Sequence, residues 1–254
     1  MRLMCRHVAY LGPAVPWRDV LVTPGHGLYR QSWAPRRQRY GTVNADGFGV
    51  GWYADGDPVP ARYRRAGPIW ADQSFADLAR AVRTRALLAA VRDATEAGAD
   101  GEAAAAPFAD GPWLFSHNGA LTGWPASAAP LAAALPPEDL LTLPARCDAA
   151  FVWALVRHAL RRGDSLGDAL SAAVGELAAA APGSRLNLLL TDGTTVAATA
   201  WGDTLWYLAD PAARRTVVAS EPYDDDPRWT EAPDRTLLTA TRTDVLLTPL
   251  KEPA

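Results

Sequence analysis

Apolar and polar positions along the chain change period several times, and each change predicts an element. Residues 5–11 are mostly apolar and are stopped by Gly12 and Pro13, as expected of a strand. Residues 44–47, Asn-Ala-Asp-Gly, are turn chemistry. Residues 48–53 then alternate glycine with bulky side chains, the pattern of a strand lying close to another backbone. A helix is predicted over 74–83, with Ser74 as its cap and Asp77 three residues on. The apolar run 86–91 is short enough for a buried strand, and the Ala-, Gly- and acid-rich residues 96–110 predict a loop. Residues 113–121 predict a strand interrupted by Ser116-His117-Asn118-Gly119. Phe151, Leu155, His158 and Ala159 share one face at helical spacing, which predicts a helix over 148–161, and a second follows over 165–181. After Gly183 come short strands at 186–190, 196–201, 205–208 and 217–220, with turns at Asp192-Gly193 and Gly202-Asp203. Residues 237–240 and 244–247 predict a closing hairpin.

The order is strands, two central helices, then strands, with no internal repeat. Segregated strands and helices favour an α+β layered sandwich over a βαβ fold. The length of 254 residues suits one domain, expected over residues 5–250. With 49% apolar residues a sizeable core is available. The 25 Lys+Arg against 28 Asp+Glu argue against disorder and leave no basic excess to neutralise nucleic-acid phosphates. No stretch approaches the roughly 18–20 apolar residues that cross a bilayer, and residues 1–4 lead into no apolar signal region. Two cysteines make no disulfide framework. A cytoplasmic, reduced protein without nucleic-acid or membrane partners is expected.

Four clusters carry candidate chemistry. Cys5 directly follows Met4. If the mature chain begins at Cys5, its free α-amine, with an ordinary pKa of about 7.7–8.0, can act as base for its own thiol. Otherwise Cys5 is a small buried residue of the first strand. Asn118 and Gly119 place an amide and a backbone N–H side by side, as an oxyanion hole requires, or form an Asn-Gly hairpin turn. Arg92, at the end of a predicted buried strand, suits two-pronged binding of a carboxylate, or a surface ion pair. Asp148 opens a helix, where it is either a favourable N-terminal charge or the partner of a substrate ammonium. Cys5, His7, His117 and Cys147 lack zinc-site spacing, and neither a Gly-x-Ser-x-Gly nor a phosphate-binding loop occurs, so no metal and no cofactor are expected.

In their order along the chain, Cys5, Val91-Arg92-Asp93-Ala94-Thr95, His117-Asn118-Gly119 and Asp148 resemble the class II glutamine amidotransferases. The stretches from Met4 to Gly12, from Trp33 to Gln38 and from Asn44 to Trp52 sharpen the resemblance, as do Arg185-Leu186-Asn187, Ala200-Trp201-Gly202-Asp203-Thr204 and the run from Ala219 to Pro227. They are similar to the amidohydrolase branch of ergothioneine biosynthesis, and the similarity spans about residues 4–250. It implies a four-layer αββα sandwich of the N-terminal nucleophile hydrolase type. It also implies a small-molecule substrate: hydrolysis of the γ-glutamyl amide of γ-glutamyl-hercynylcysteine S-oxide, with Cys5 as nucleophile and Asn118 and Gly119 as oxyanion donors. Arg92 and Asp148 would hold the glutamyl carboxylate and ammonium, with His117 and Thr95 beside them and Asn44, Asp46 and Gly47 supporting from behind.

The chain departs from the pattern at two places. Met1-Arg2-Leu3 precede Met4, so residues 1–4 are expected to be a leader or a misassigned start. Asp93 follows Arg92 where many amidotransferases have an aromatic residue. Because the hydrolase fold is expected to occupy nearly all 254 residues, a free-standing hydrolase is favoured. The alternatives are a glutaminase subunit serving a separate synthase and an inactive binding protein of the same fold.

Overall fold

Strand β1 (Arg6–Pro16) sorts its side chains by parity, as a strand buried on both faces must. Val8 and Tyr10 enter one core, while Ala9 and Leu11 enter another. The computed structural model that shows this describes residues 5–39, 41, 43–94 and 101–251. The strands that follow are β2 (Phe48–Trp52), β3 (Ala61–Arg65), β4 (Arg83–Val91), β5 (Phe108–Asp110), β6 (Trp113–Ala120) and β7 (Arg185–Thr191). They continue with β8 (Val196–Ala200), β9 (Trp206–Asp210), β10 (Arg215–Ala219), β11 (Thr230–Glu231), β12 (Thr236–Ala240) and β13 (Val245–Pro249). The helices are α1 (Arg18–Leu21), α2 (Leu28–Gln31), α3 (Phe75–Ala81), α4 (Ala129–Ala134), α5 (Pro137–Leu141), α6 (Asp148–Arg161) and α7 (Leu166–Ala180).

Among the described residues the strands form two antiparallel sheets, ordered β11-β9-β10-β1-β4-β2-β3 and β13-β12-β8-β7-β6-β5. Small side chains separate them: Ala9, Ala86, Ala198 and Ala200 pack with Leu88, Leu114, Leu189 and Leu238. On the outer face of the first sheet, Val20 and Leu21 of α1, Leu28 of α2 and Phe75 of α3 cover Val8, Tyr10, Val50 and Leu87. On the outer face of the second, α6 and α7 cover Phe115, Leu186, Leu188 and Leu190. The result is a four-layer αββα sandwich, with alanines and leucines between the sheets and the aromatic side chains of the cores on the outer faces.

The structure differs from the sequence reading in four places. Strand β6 runs unbroken through Ser116, His117, Asn118 and Gly119, because all four pair with β7, from Ser116↔Leu189 to Gly119↔Leu186. The predicted helix shortens to Phe75–Ala81, and Ser74 makes no side-chain cap; Asp72 Oδ1 instead accepts from the Ser74 N–H at 2.9 Å. The expected loop over 96–110 contains a short 3₁₀ turn, Gly101–Ala104, and the strand β5. Strand β3, Ala-Arg-Tyr-Arg-Arg, was not expected, since it is a largely exposed edge strand without apolar alternation.

Candidate active site

Cys5 immediately precedes β1 and shares the parity of His7 and Ala9, so the register of β1 directs its thiol between the sheets. Facing it, Ser116 and Asn118 share the inward parity of Leu114 on β6. The two sheets are tied together here: His7 Nδ1 lies 3.2 Å from Ser116 Oγ. Burial, with His117 and Arg6 nearby, pulls the His7 imidazole down to about 3, so it is neutral at physiological pH. Ser220, just past β10, accepts from the His7 backbone N–H at 3.1 Å and from Asn118 Nδ2 at 3.3 Å through one hydroxyl oxygen.

A cavity of about 560 Å³ opens at this end of the sandwich, within the range that encloses a drug-sized ligand. Cys5, Arg92, His117, Gly119 and Asp148 all line it. Four separate stretches of sequence thus meet at one wall. Cys5 is half-buried and opens on the cavity. Burial nevertheless pushes its thiol up to about 11, against the lowering effects of the Asp93 carbonyl 4.0 Å away and the Arg92 guanidinium. The resting group is therefore a thiol, and attack on a carbonyl needs a base.

Arg92 follows β4 and is held from behind. Its backbone N–H donates to Gly47 O at 2.8 Å, and the Asp46 N–H donates to Arg92 O at 3.0 Å. Arg92 Nη1 reaches Asp46 O at 3.4 Å, and Asp46 Oδ2 accepts from the Ala94 N–H at 2.8 Å. Gly47 sits at φ +138° with the Arg65 carbonyl only 3.1 Å from where a Cβ would lie, so a side chain there would disturb this support. Asn44 is fully buried, but it braces the loop ahead, through Gln31 O and Gln38 Oε1, both at 3.2 Å. Asp148 lies at the start of α6. Its Oδ2 accepts from the Leu121 N–H at 3.0 Å and its Oδ1 from the Ala149 N–H at 2.8 Å, which fixes the carboxylate on the cavity wall at the end of β6.

Gly119 is required by contact rather than by a turn. A Cβ there would collide with the Arg185 carbonyl and with His117 Nε2, which itself lies 2.9 Å from Arg185 O. Opposite it, Leu186 sends its N–H to Trp201 O, on the β8 side. In an antiparallel ladder such a pair is not hydrogen-bonded, so the Gly119 N–H points away from β7, toward the edge that β5 leaves uncovered beyond Phe115. Asn118 differs from the other predicted residues. It is wholly buried and does not line the cavity; its amide sits behind the wall, on Ser220. Thr95 lies outside the described residues.

Sequence reading had no role for Ser116 or Ser220. Single serines carry no spacing signal, although Ser220 falls in the Ala219–Pro227 run that marks the family resemblance. Of Trp33, Trp52, Trp70 and Trp124, which lie in sequence near the candidate catalytic strands, Trp124 lines the cavity and packs on Phe151 with ring centroids 5.6 Å apart. Trp52 meets Trp17 on the outer core, and Trp33 and Trp70 form an exposed edge-to-face pair. Asp224, Asp225 and Asp226 do not line the cavity, and each is engaged elsewhere: by Trp229 Nε1 at 2.7 Å, Arg36 Nη1 at 2.9 Å and Arg228 Nη2 at 2.6 Å. Among the described residues no cluster of three or more His, Cys, Asp or Glu side chains is placed to hold a metal ion, and no helix is long and apolar enough to cross a membrane.

Comparison with known proteins gives a consistent picture. Residues 28–212 match the class-II glutamine amidotransferases. The chain is 44% identical over 247 residues to the gamma-glutamyl-hercynylcysteine sulfoxide hydrolase of Mycolicibacterium smegmatis, covering 97% of this chain and 100% of that one. It is 42% identical over 248 residues to the protein of the same name from Mycobacterium tuberculosis strain H37Rv, covering 97% of each. Among solved structures, a glutamine aminotransferase class-II domain protein from Silicibacter pomeroyi superposes with a TM-score of 0.70 at 24% identity, over 97% of this chain and all of that one. The glutamine phosphoribosylpyrophosphate amidotransferase of B. subtilis shares the fold over 49% of its length, with a TM-score of 0.69 at 16% identity. With Cys5, Arg92 and Asp148 gathered on one cavity in this fold, the chain belongs to the class-II glutamine amidotransferase family and is an amidohydrolase of that type.

Proposed function

We propose that the protein hydrolyses γ-glutamyl-hercynylcysteine S-oxide to glutamate and hercynylcysteine S-oxide, with residues 5–250 as one catalytic unit working in the reducing cytoplasm. The observation that carries this reading is the 44% identity, over the full length, to a protein named for that hydrolysis. The cavity is compatible with it, since about 560 Å³ lies in the range that encloses a drug-sized ligand. Cys5 Sγ attacks the γ-carbonyl carbon, and its proton passes to the Cys5 α-amine, which is available once residues 1–4 are removed. The Gly119 N–H and the Asn118 amide stabilise the oxyanion. The C–N bond then breaks, the proton goes to the leaving amine, and water hydrolyses the thioester. Arg92 and Asp148 hold the α-carboxylate and α-ammonium of the glutamyl group, remote from the scissile bond, so their binding energy positions the substrate. His117 packs beside them, and Asp46 and Gly47 keep Arg92 in place. Intact mass of the purified protein tests the exposed α-amine, and glutamate release from the S-oxide, compared with glutamine, tests the substrate.

Arg92→Lys is expected to lower kcat/KM roughly ten- to a hundred-fold, because lysine keeps the charge but loses the two-pronged geometry. Competitive inhibition by free glutamate should weaken in parallel. Equal inhibition of variant and parent would remove Arg92 from the carboxylate clamp.

The trimethylammonium of the leaving group has no N–H to donate, so an aromatic face is its physical partner, worth about 0.5–2 kcal/mol. Trp124 is the tryptophan positioned for it. Trp124→Leu is expected to raise KM for the trimethylated substrate roughly two- to thirty-fold and to erase the preference over the analogue with a free primary amine. Equal kinetics on both compounds in the parent enzyme would leave Trp124 as packing.

A further inference from the structure

The layer between the sheets is apolar along most of its length: β1 contributes Ala9 and Leu11, β4 Leu88, β6 Leu114 and β7 Leu189. At the end where the cavity opens it turns polar. His7 and Ser116, both wholly buried, take the next inward positions on β1 and β6, and His7 Nδ1 lies 3.2 Å from Ser116 Oγ. With burial pulling the imidazole down to about 3, this contact is a hydrogen bond between neutral groups and not an ion pair. His7 Nε2 has no hydrogen-bond partner. A buried N–H is rarely left orphaned, so the proton belongs on Nδ1, which donates to Ser116 Oγ.

As a source of stability the pair is a poor choice. It leaves a buried ring nitrogen unsatisfied, and apolar groups of the same shape in place of both partners can be neutral or stabilising. Its position gives it another use. His7 stands two residues from Cys5 on the same face of β1, about 6.6 Å along the strand. Ser116 stands three residues before Gly119 on β6. Ser220 adds a second tie at the same place, accepting from the His7 N–H and from Asn118 Nδ2. Contacts between alanines and leucines have no preferred direction, whereas a hydrogen bond fixes both a distance and an angle. We propose that His7 and Ser116 are positioning residues, whose contact across the sheets sets the Cys5 thiol against the Gly119 N–H. This rests on the reading of Cys5 as the nucleophile.

The test uses His7→Phe, Ser116→Ala, their double variant and His7→Asn, assayed on the S-oxide substrate. Alkylation of Cys5 by iodoacetamide, mapped to its peptide, is the second readout. Each of His7→Phe and Ser116→Ala is expected to lower kcat roughly ten- to a hundred-fold with KM within about threefold, the scale of a misplaced reacting atom. The double variant should lose little more than either single one, since both remove the same contact. His7→Asn, which keeps an N–H donor on the first branch of the side chain, should recover part of the loss. Alkylation of Cys5 should run at the parent rate in every variant, because it needs the thiol but nothing from β6. If His7→Phe does not fold, Ser116→Ala and His7→Asn carry the same comparison. Single variants that keep kcat within about twofold, losses that add in the double variant, or alkylation that falls in step with kcat would each overturn the proposal and leave Cys5 as nucleophile. Complete alkylation of Cys5 in the parent that leaves turnover intact would overturn both.

Discussion

Cys5→Ala is expected to yield a folded protein that has lost at least about 10⁴-fold in γ-glutamyl hydrolysis, the scale of removing a covalent nucleophile. The change deletes one sulfur atom that faces the cavity, and alanine retains the Cβ, so no core volume is lost. Thermal unfolding should therefore be nearly unaltered. The acid–base chemistry gives a second readout. With the thiol pushed up to about 11, a route through free thiolate would make kcat/KM climb with pH toward that value. A route in which the Cys5 α-amine takes the proton instead gives an ascending limb near the amine's ordinary 7.7–8.0 and a plateau above it. Appreciable turnover by the alanine variant would sink Cys5 as nucleophile. An ascending limb near 11 would keep the nucleophile but remove the amine as its base.

The elements legible in the sequence were those whose apolar residues form a regular helical pattern or a short continuous run. Helix α6 begins and ends where its apolar spacing and Asp148 placed it: its side chains from Ala150 to Arg157 are buried in the core beside β6, and its last turn reaches solvent through His158 and Arg161. Strands β7, β8 and β10 were legible as short apolar runs, since they are buried on both faces. What failed were places where polarity serves the site. Ser116, His117 and Asn118 read as an interruption because strand interiors rarely place such residues in succession. Here Ser116 Oγ and Asn118 Nδ2 find partners across the sheets and His117 Nε2 finds one on the Arg185 carbonyl, so the strand continues. The Asn-Gly dipeptide is a strong hairpin signal. At Gly119 the glycine answers a different demand, the close approach of the Arg185 carbonyl.

The site was legible as a set of residues but not as a geometry. Cys5, Arg92, His117, Gly119 and Asp148 converge on one cavity although the chain separates the first from the last by more than half its length. Only the family resemblance related them before the fold did. The tryptophans show the opposite case. Trp33, Trp52 and Trp70 lie near catalytic strands in sequence just as Trp124 does, yet strand parity sends Trp52 to the outer core and a separate aromatic cluster takes Trp33 and Trp70. Parity cannot be read until the register is known, and a one-residue shift exchanges inner and outer faces. The same limit hid Ser220, whose value lies in joining β1 to Asn118 across 213 and 102 residues of sequence.

Asn118→Ala is expected to lower kcat about 10²- to 10³-fold with little change in KM, the signature of a donor that acts mainly in the transition state. The buried position of Asn118 makes this a demanding test, because its amide rests on Ser220 at 3.3 Å and does not line the cavity of the free enzyme. An amide nitrogen carries two N–H groups, and one on Ser220 leaves the second for an oxygen beside Gly119. Ser220→Ala separates catalysis from bracing. It removes the same Asn118–Ser220 contact, and the His7 N–H contact as well, while leaving the amide itself in place. Losing a buried hydrogen-bond partner costs about 1–3 kcal/mol of stability, so both variants should melt earlier. If Asn118 stabilises the oxyanion, Asn118→Ala loses far more kcat than Ser220→Ala at comparable stability. Equal losses in kcat, tracking the losses in stability, would make Asn118 a brace and leave the Gly119 N–H as the oxyanion donor.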